Sequence, residues 1–184
     1  MPRRIYTFDA PDRFVTGTVG EPGDRTFFLQ AKKAGDVVSV VLEKTQVAVL
    51  AQQLDALLDI LADRGIESIP VEADPDRSDD APLGEPLVEA FRVGAMALAW
   101  DGDHDQVVIE AAAIPEDGEA SAEDTDDDDD GPDLVRIRID GPTARAFVVR
   151  AARVVAAGRP LCPRCGEPLD PQGHICARPN AYLN

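Results

Sequence analysis

Histidine is scarce in this chain: His104 and His174 are the only two among 184 residues. Only these two rings are available to a Ser-His-Asp or Cys-His set, and no such set is evident. Cysteine is nearly as rare, at three residues. Three thiols build no disulfide framework, which fits a reducing cytoplasm. No apolar run reaches the ~18 residues of a membrane span. The opening Met1-Pro2-Arg3-Arg4-Ile5-Tyr6 lacks the apolar segment of a signal peptide, so cytoplasmic residence is expected.

Basic residues are missing where acids crowd. Residues 116–133 hold eleven acids and no base, and they account for all but six of the net −17. That balance argues against a general nucleic-acid binder. Gly141 to Gly166 shows the reverse, five arginines and no acid, so a local basic surface is compatible with an acidic protein. The run Asp126–Asp130 lacks the alternating ligands and turning glycine of a calcium loop. The acidic segment 114–133 is therefore expected to be a solvated, mobile loop.

The scarce metal ligands are concentrated. Cys162-Pro163-Arg164-Cys165-Gly166 and Gly173-His174-Ile175-Cys176 form C-x2-C-x8-H-x-C, with all three cysteines and one histidine in 15 residues. Zinc takes four thiolate or imidazole ligands in a tetrahedron. Two cysteines two residues apart can grip one ion if the chain turns tightly, and Gly166 suits that turn. His174 and Cys176 face the same way in an extended segment. A redox role for the CPRC pair leaves Cys176 odd and His174 unexplained; three unrelated thiols leave the spacing unexplained. The ligands are thus Cys162, Cys165, His174 and Cys176, and four ligands with no open position imply structural Zn2+.

Periodicity divides the rest into an α+β body, residues 1–158, and a zinc-binding tail, 159–184. Strands are expected at 13–19, 25–32 and 37–42, joined by short turns into an antiparallel meander. Glycines 17, 20 and 23 invite a phosphate cradle, but the Gly17–Asp24 loop opens a strand instead of a helix, so a hairpin is preferred. From Thr45, a candidate N-cap, Val47, Leu50, Leu54, Leu57, Leu58 and Leu61 recur at helical spacing up to Gly65. Residues 73–87 read as an exposed connector. Further strands follow at 91–100 (apolar on both faces, hence central), 106–113 and 134–140. A second helix starts at Pro142 or Thr143, with Phe147, Ala151, Val154 and Val155 on its apolar face, and Gly158 ends it. His104, between two aspartates, reads as a solvated turn residue.

The halves share element order, β-β-β-α, at about 13–65 and 90–158. Phe14 and Gly17 align with Phe91 and Gly94, and Leu50, Leu54, Leu57 and Leu58 align with Phe147, Ala151, Val154 and Val155. The expected body is a duplicated antiparallel sheet with both helices on one face. Glu43 and Asp140 then occupy equivalent strand-to-helix corners, suited to capping helix N-termini. A paired catalytic role for them is the sharper alternative, but no other acid–base group accompanies them.

The segments FVTGTVG, FFLQA, VLEKTQV, FRVGAMALAW and CPRCGEPLDPQGHIC together resemble an uncharacterised actinobacterial family, a domain of unknown function with a C-terminal CPxCG…GHxC zinc motif. The resemblance runs from about residue 4 to 182 and implies a bacterial cytosolic protein, with no reaction attached. The family pattern continues as C-P-R-x-N-G-Y, from which this chain departs at Ala177 and Ala181, neither of them a ligand.

Three functions compete. A non-enzymatic protein-binding adaptor is favoured, because catalytic sets are lacking. An enzyme would need a cleft between the halves lined by Arg25, Glu43, Lys44 and Asp140. A nucleic-acid contact would run through Arg145, Arg150, Arg153, Arg159, Arg164 and Arg178, although aromatics do not interleave them.

Overall fold

A computed structural model describes residues 3–115, 131–158, 162–166 and 169. It contains a seven-stranded mixed sheet and two helices, an α+β architecture. The strands are β1 (Ile5–Asp9), β2 (Arg13–Val19), β3 (Thr26–Lys33), β4 (Asp36–Leu42), β5 (Glu89–Asp101), β6 (Gln106–Ala113) and β7 (Leu134–Ile139). The helices are α1 (Lys44–Asp63) and α2 (Gly141–Ala156). Most of the acidic segment (116–130) and most of the tail, with His174 and Cys176, lie outside the described residues.

Sheet order is β1-β7-β6-β5-β4-β3-β2. β2–β4 and β5–β7 are antiparallel meanders, β4 and β5 pair in parallel, and β1 adds in parallel to β7. The sequence reading had no β1. Its five residues follow two arginines, and its partner is the last strand, so no local turn announces it.

β1 and β2 sit at opposite edges of the sheet, yet only Ala10-Pro11-Asp12 separates them. Laid flat, seven strands would part those edges by roughly 29 Å. The link can span at most about 15 Å. The sheet must therefore roll until its ends approach. Contacts across the seam agree: the Ala34 amide donates to Asp12 Oδ2 at 2.8 Å, and Lys33 Nζ donates to the Asp9 carbonyl.

Both helices line the inner face. From α1, Val47, Leu50, Leu54, Leu58 and Leu61 are buried, as the leucine spacing predicts; from α2, Ala144, Phe147 and Ala151. They meet Phe14, Leu29, Val40, Val107, Ile109 and Ile137 of the sheet. Phe147 stacks on Phe14 with centroids 4.5 Å apart. Burying a side chain such as Leu54 contributes about 2 kcal/mol.

The ends of α1 also follow the chemistry. Its N-cap is Glu43, not Thr45, and the Glu43 amide donates to Gln46 Oε1 at 2.8 Å. At the other end Gly65, at φ +80°, lets Ile66 N reach Leu61 O and Gly65 N reach Ala62 O, a paired closure open to a residue without Cβ. Asp140 caps α2 by accepting from the Thr143 amide at 2.8 Å.

β5 is the middle strand, as its apolar run suggests, but it does not bury both faces. A bulge between Val93 and Ala95 shifts the pleat, so that Val93 and Met96 both meet the core and the alanines 95, 97 and 99 take the outer face. The apolar run reflects that phase change and those small outer residues. No described helix is long and apolar enough to cross a membrane.

Candidate functional site

Cys162 and Cys165 stand on one tight turn. Gly166 takes φ +77°, and its amide donates to the Cys162 carbonyl at 2.8 Å. Cys162 is buried. Two soft donors on a glycine-closed turn fit half of a tetrahedral zinc site. The other two residues of the set, His174 and Cys176, lie outside the described residues, and among the described residues no three metal-ligating side chains cluster.

The four residues named for an enzyme cleft stand at helix ends. Arg25 donates to the Ala157 carbonyl at the end of α2, where Lys44 also approaches Gly158. Glu43 turns to Arg92 at 3.0 Å, while Asp140 holds Thr143 N and approaches Arg77. Gly17–Asp24 belongs to the β2–β3 hairpin and precedes a strand, the geometry preferred over a phosphate loop. His104 is exposed and pairs with Asp101 Oδ2 at 2.9 Å; that hydrogen bond lowers the Asp101 carboxyl below its ordinary pKa.

The arginines of α2 are already partnered. Arg145 is buried and donates to Asp55 and Asp59 of α1, each at 2.6 Å, and to the Pro70 carbonyl at 3.0 Å. Arg153 donates to Asp80 at 2.6 Å and Ser78 Oγ at 3.0 Å. Arg150, also buried, reaches over the free edge of β2: its Nε donates to the Thr16 carbonyl at 2.6 Å. Its other nitrogens reach the Asp79 and Ala81 carbonyls and Asp79 Oδ1. Arg159 and Arg178 lie outside the described residues.

Sequence reasoning missed the knot that Arg150 enters. Arg13 of β2 forks onto Asp79, Nε to Oδ2 at 2.6 Å and an Nη to Oδ1 at 2.9 Å. The Arg13 hydrogen bond holds the Asp79 carboxyl below the usual range, and Asp79 in return raises Arg13. Burial lowers Arg150, opposed by the Asp79 charge. A cavity of about 200 Å³ adjoins this cluster, lined by Arg13, Phe14, Arg77, Thr143, Phe147 and Arg150. Nothing in the Asp-rich composition of 73–87 marks Asp79 from its neighbours; only Arg13 and Arg150, cations on otherwise apolar elements, hint at a partner.

Two further concavities among the described residues are apolar. One, of about 310 Å³, lies between α1 and β5 and is lined by Val49, Leu50, Met96 and Leu98 with Gln46 and Gln53. Another, of about 350 Å³, runs between the helices along Ala48, Ala51, Ala152 and Val155.

The model of DUF3090, a family of proteins of unknown function, matches residues 6–176. No curated protein and no solved structure matches the chain. The chain belongs to the DUF3090 family.

Proposed function

We propose that this DUF3090 protein is a cytoplasmic, non-enzymatic protein-binding module: a duplicated β3α body with a tail held by structural zinc at Cys162, Cys165, His174 and Cys176. One observation carries the choice of partner class. The α2 cations that could contact phosphates, Arg145, Arg150 and Arg153, already face carboxylates and carbonyls of the same chain. What the helix pair offers solvent includes apolar Val49, Ile60 and Val149, and an alanine-lined groove. Such surfaces suit protein better than nucleic acid.

Supporting the duplication, β2–β4 and β5–β7 are meanders running the same way along the sheet, each leading directly into a helix capped by an acid, Glu43 or Asp140. β1 stands outside both units. Supporting the zinc, two thiols share a glycine-closed turn just past α2.

The test is affinity capture from lysate with and without nuclease, beside a Cys162→Ser/Cys165→Ser variant, with metal content measured by mass spectrometry. A nuclease-resistant protein partner lost with the zinc is expected. Nuclease-sensitive capture would put nucleic acid in its place, and metal-free native protein would remove the zinc.

A further inference from the structure

Residues 79–84, Asp-Asp-Ala-Pro-Leu-Gly, form neither helix nor strand and lie as a strap against β2 and β3, with Leu83 over Gly17 and Gly84 at Gln30. Among the described residues, no backbone-to-backbone hydrogen bond holds this strap; the body's side chains do. Arg13 and Arg150 grip the Asp79 carboxylate and both donate to the Ala81 carbonyl at 2.9 Å. Gln30 of β3 reads Gly84 on both sides, its Oε1 accepting from the amide at 2.7 Å and its Nε2 donating to the carbonyl at 3.0 Å. Between these anchors Leu83 rests on Gly17, so closely that a Cβ there would lie 2.8 Å from Leu83 Cγ.

The two sides of this contact are unequal. Arg150, Gln30, Thr16, Val15 and Phe28 are buried, whereas no residue from Ser78 to Val88 is. The body side is thus a formed receptor: one charge clamp, one seat floored by a glycine, and one side-chain amide that completes a peptide unit as a neighbouring strand would. The strap buries too little to be a structural element in its own right. Yet if it simply lifted, Arg150 would keep only the Thr16 carbonyl and Gln30 only Ser39 Oγ, and the remaining polar atoms of these buried side chains would lose their partners, which is costly. Exchange for an equivalent segment is cheaper than opening.

We propose that this face is a docking site for an extended acidic segment of a partner protein, carrying an Asp or Glu four residues before a Leu, and that residues 79–84 occupy it in cis. This rests on the protein-binding reading and names the partner's chemistry. Because the strap is tethered at an effective concentration in the millimolar range, an outside segment must outcompete it, so the strap gates binding.

The probe is a fluorescein-labelled peptide with the sequence Ser78–Val88, titrated by anisotropy into the full-length protein. Asp79→Ala/Leu83→Ala in the protein disarms the strap while leaving the receptor intact. The disarmed chain should bind the probe at least about tenfold more tightly than the native chain. Replacing both aspartates of the probe by asparagine, or scrambling it, should abolish binding, and Gln30→Ala added to the disarmed chain should weaken it. Equal affinity of native and disarmed chains, or equal affinity for scrambled probe, overturns the proposal. Should the disarmed chain fail to fold, hydrogen exchange on the native protein decides: the Gly84 amide must exchange by a local opening, and exchange only through global unfolding overturns the idea. If the probe fails while zinc-dependent capture of a partner persists, the strap proposal falls and the adaptor reading stands.

Discussion

Arg145 is buried, with its side chain 5% exposed, but its partners Asp55 and Asp59 are 50% and 63% exposed. The cost of breaking this clamp should therefore depend on which side is removed. Arg145→Met keeps the apolar stem volume and removes the buried charge, and the two aspartates return to water cheaply. Its expected cost is about 1 kcal/mol, the scale of solvent-screened pairs. Asp55→Asn/Asp59→Asn instead strands a guanidinium with neutral acceptors only. Breaking a wholly buried pair costs ~3–5 kcal/mol; water reaching the exposed aspartate side lowers this to about 2 kcal/mol. Helix propensity does not confuse the comparison, since Arg and Met, and Asp and Asn, are near-equal pairs. Urea unfolding with a common m-value measures both. If Arg145→Met proved as costly as the double aspartate change, the guanidinium's bonds to Asp55, Asp59 and the Pro70 carbonyl would stabilise the fold well beyond a screened pair, and the reasoning from exposed partners would be wrong.

Three further outcomes are expected. Asp79 has a folded pKa below its unfolded one, so its contribution is complete above the unfolded value and fades as pH falls through the folded value; protease nicking of residues 78–88 should rise in that acid range, and Asp79→Asn should flatten the profile. Leu54, fully buried in α1, should cost about 2–5 kcal/mol when replaced by Ala, read by the same urea titration. Cys162→Ser/Cys165→Ser should lower bound zinc while leaving the melting temperature of the body unchanged, as followed by circular dichroism; a cooperative loss of the whole fold would mean that tail and body are one unit.

Much of the body was legible because each element carries its own period. The strands at 13–19 and 106–113 and the leucine face of α1 follow directly from residue spacing. Glu43 and Asp140 were legible as helix caps because strand ends and helix starts abut there. Periodicity reports which face an element buries, but not where a long side chain goes beyond it. Arg150 reads as a solvent cation on α2, yet it passes over the β2 edge to residues distant in sequence. Gln30 reads as one polar residue in a strand, and its role depends on Gly84 arriving from outside the sheet. The Gly94 bulge was hidden for a similar reason: a phase slip and a two-faced apolar strand have the same composition.

The pairing of β1 with β7 also sets a timetable. Ile5 aligns with Leu134, a separation of 129 residues, and the strands between them must roll before the seam can form. At ordinary ribosomal speed the first strand waits roughly ten seconds for its partner to be made. During that wait Phe8, a core residue in the finished protein, has no inner face to enter. Ribosome-bound chains lacking β7 should expose that segment to a chaperone, and release of β7 from the exit tunnel should end the exposure.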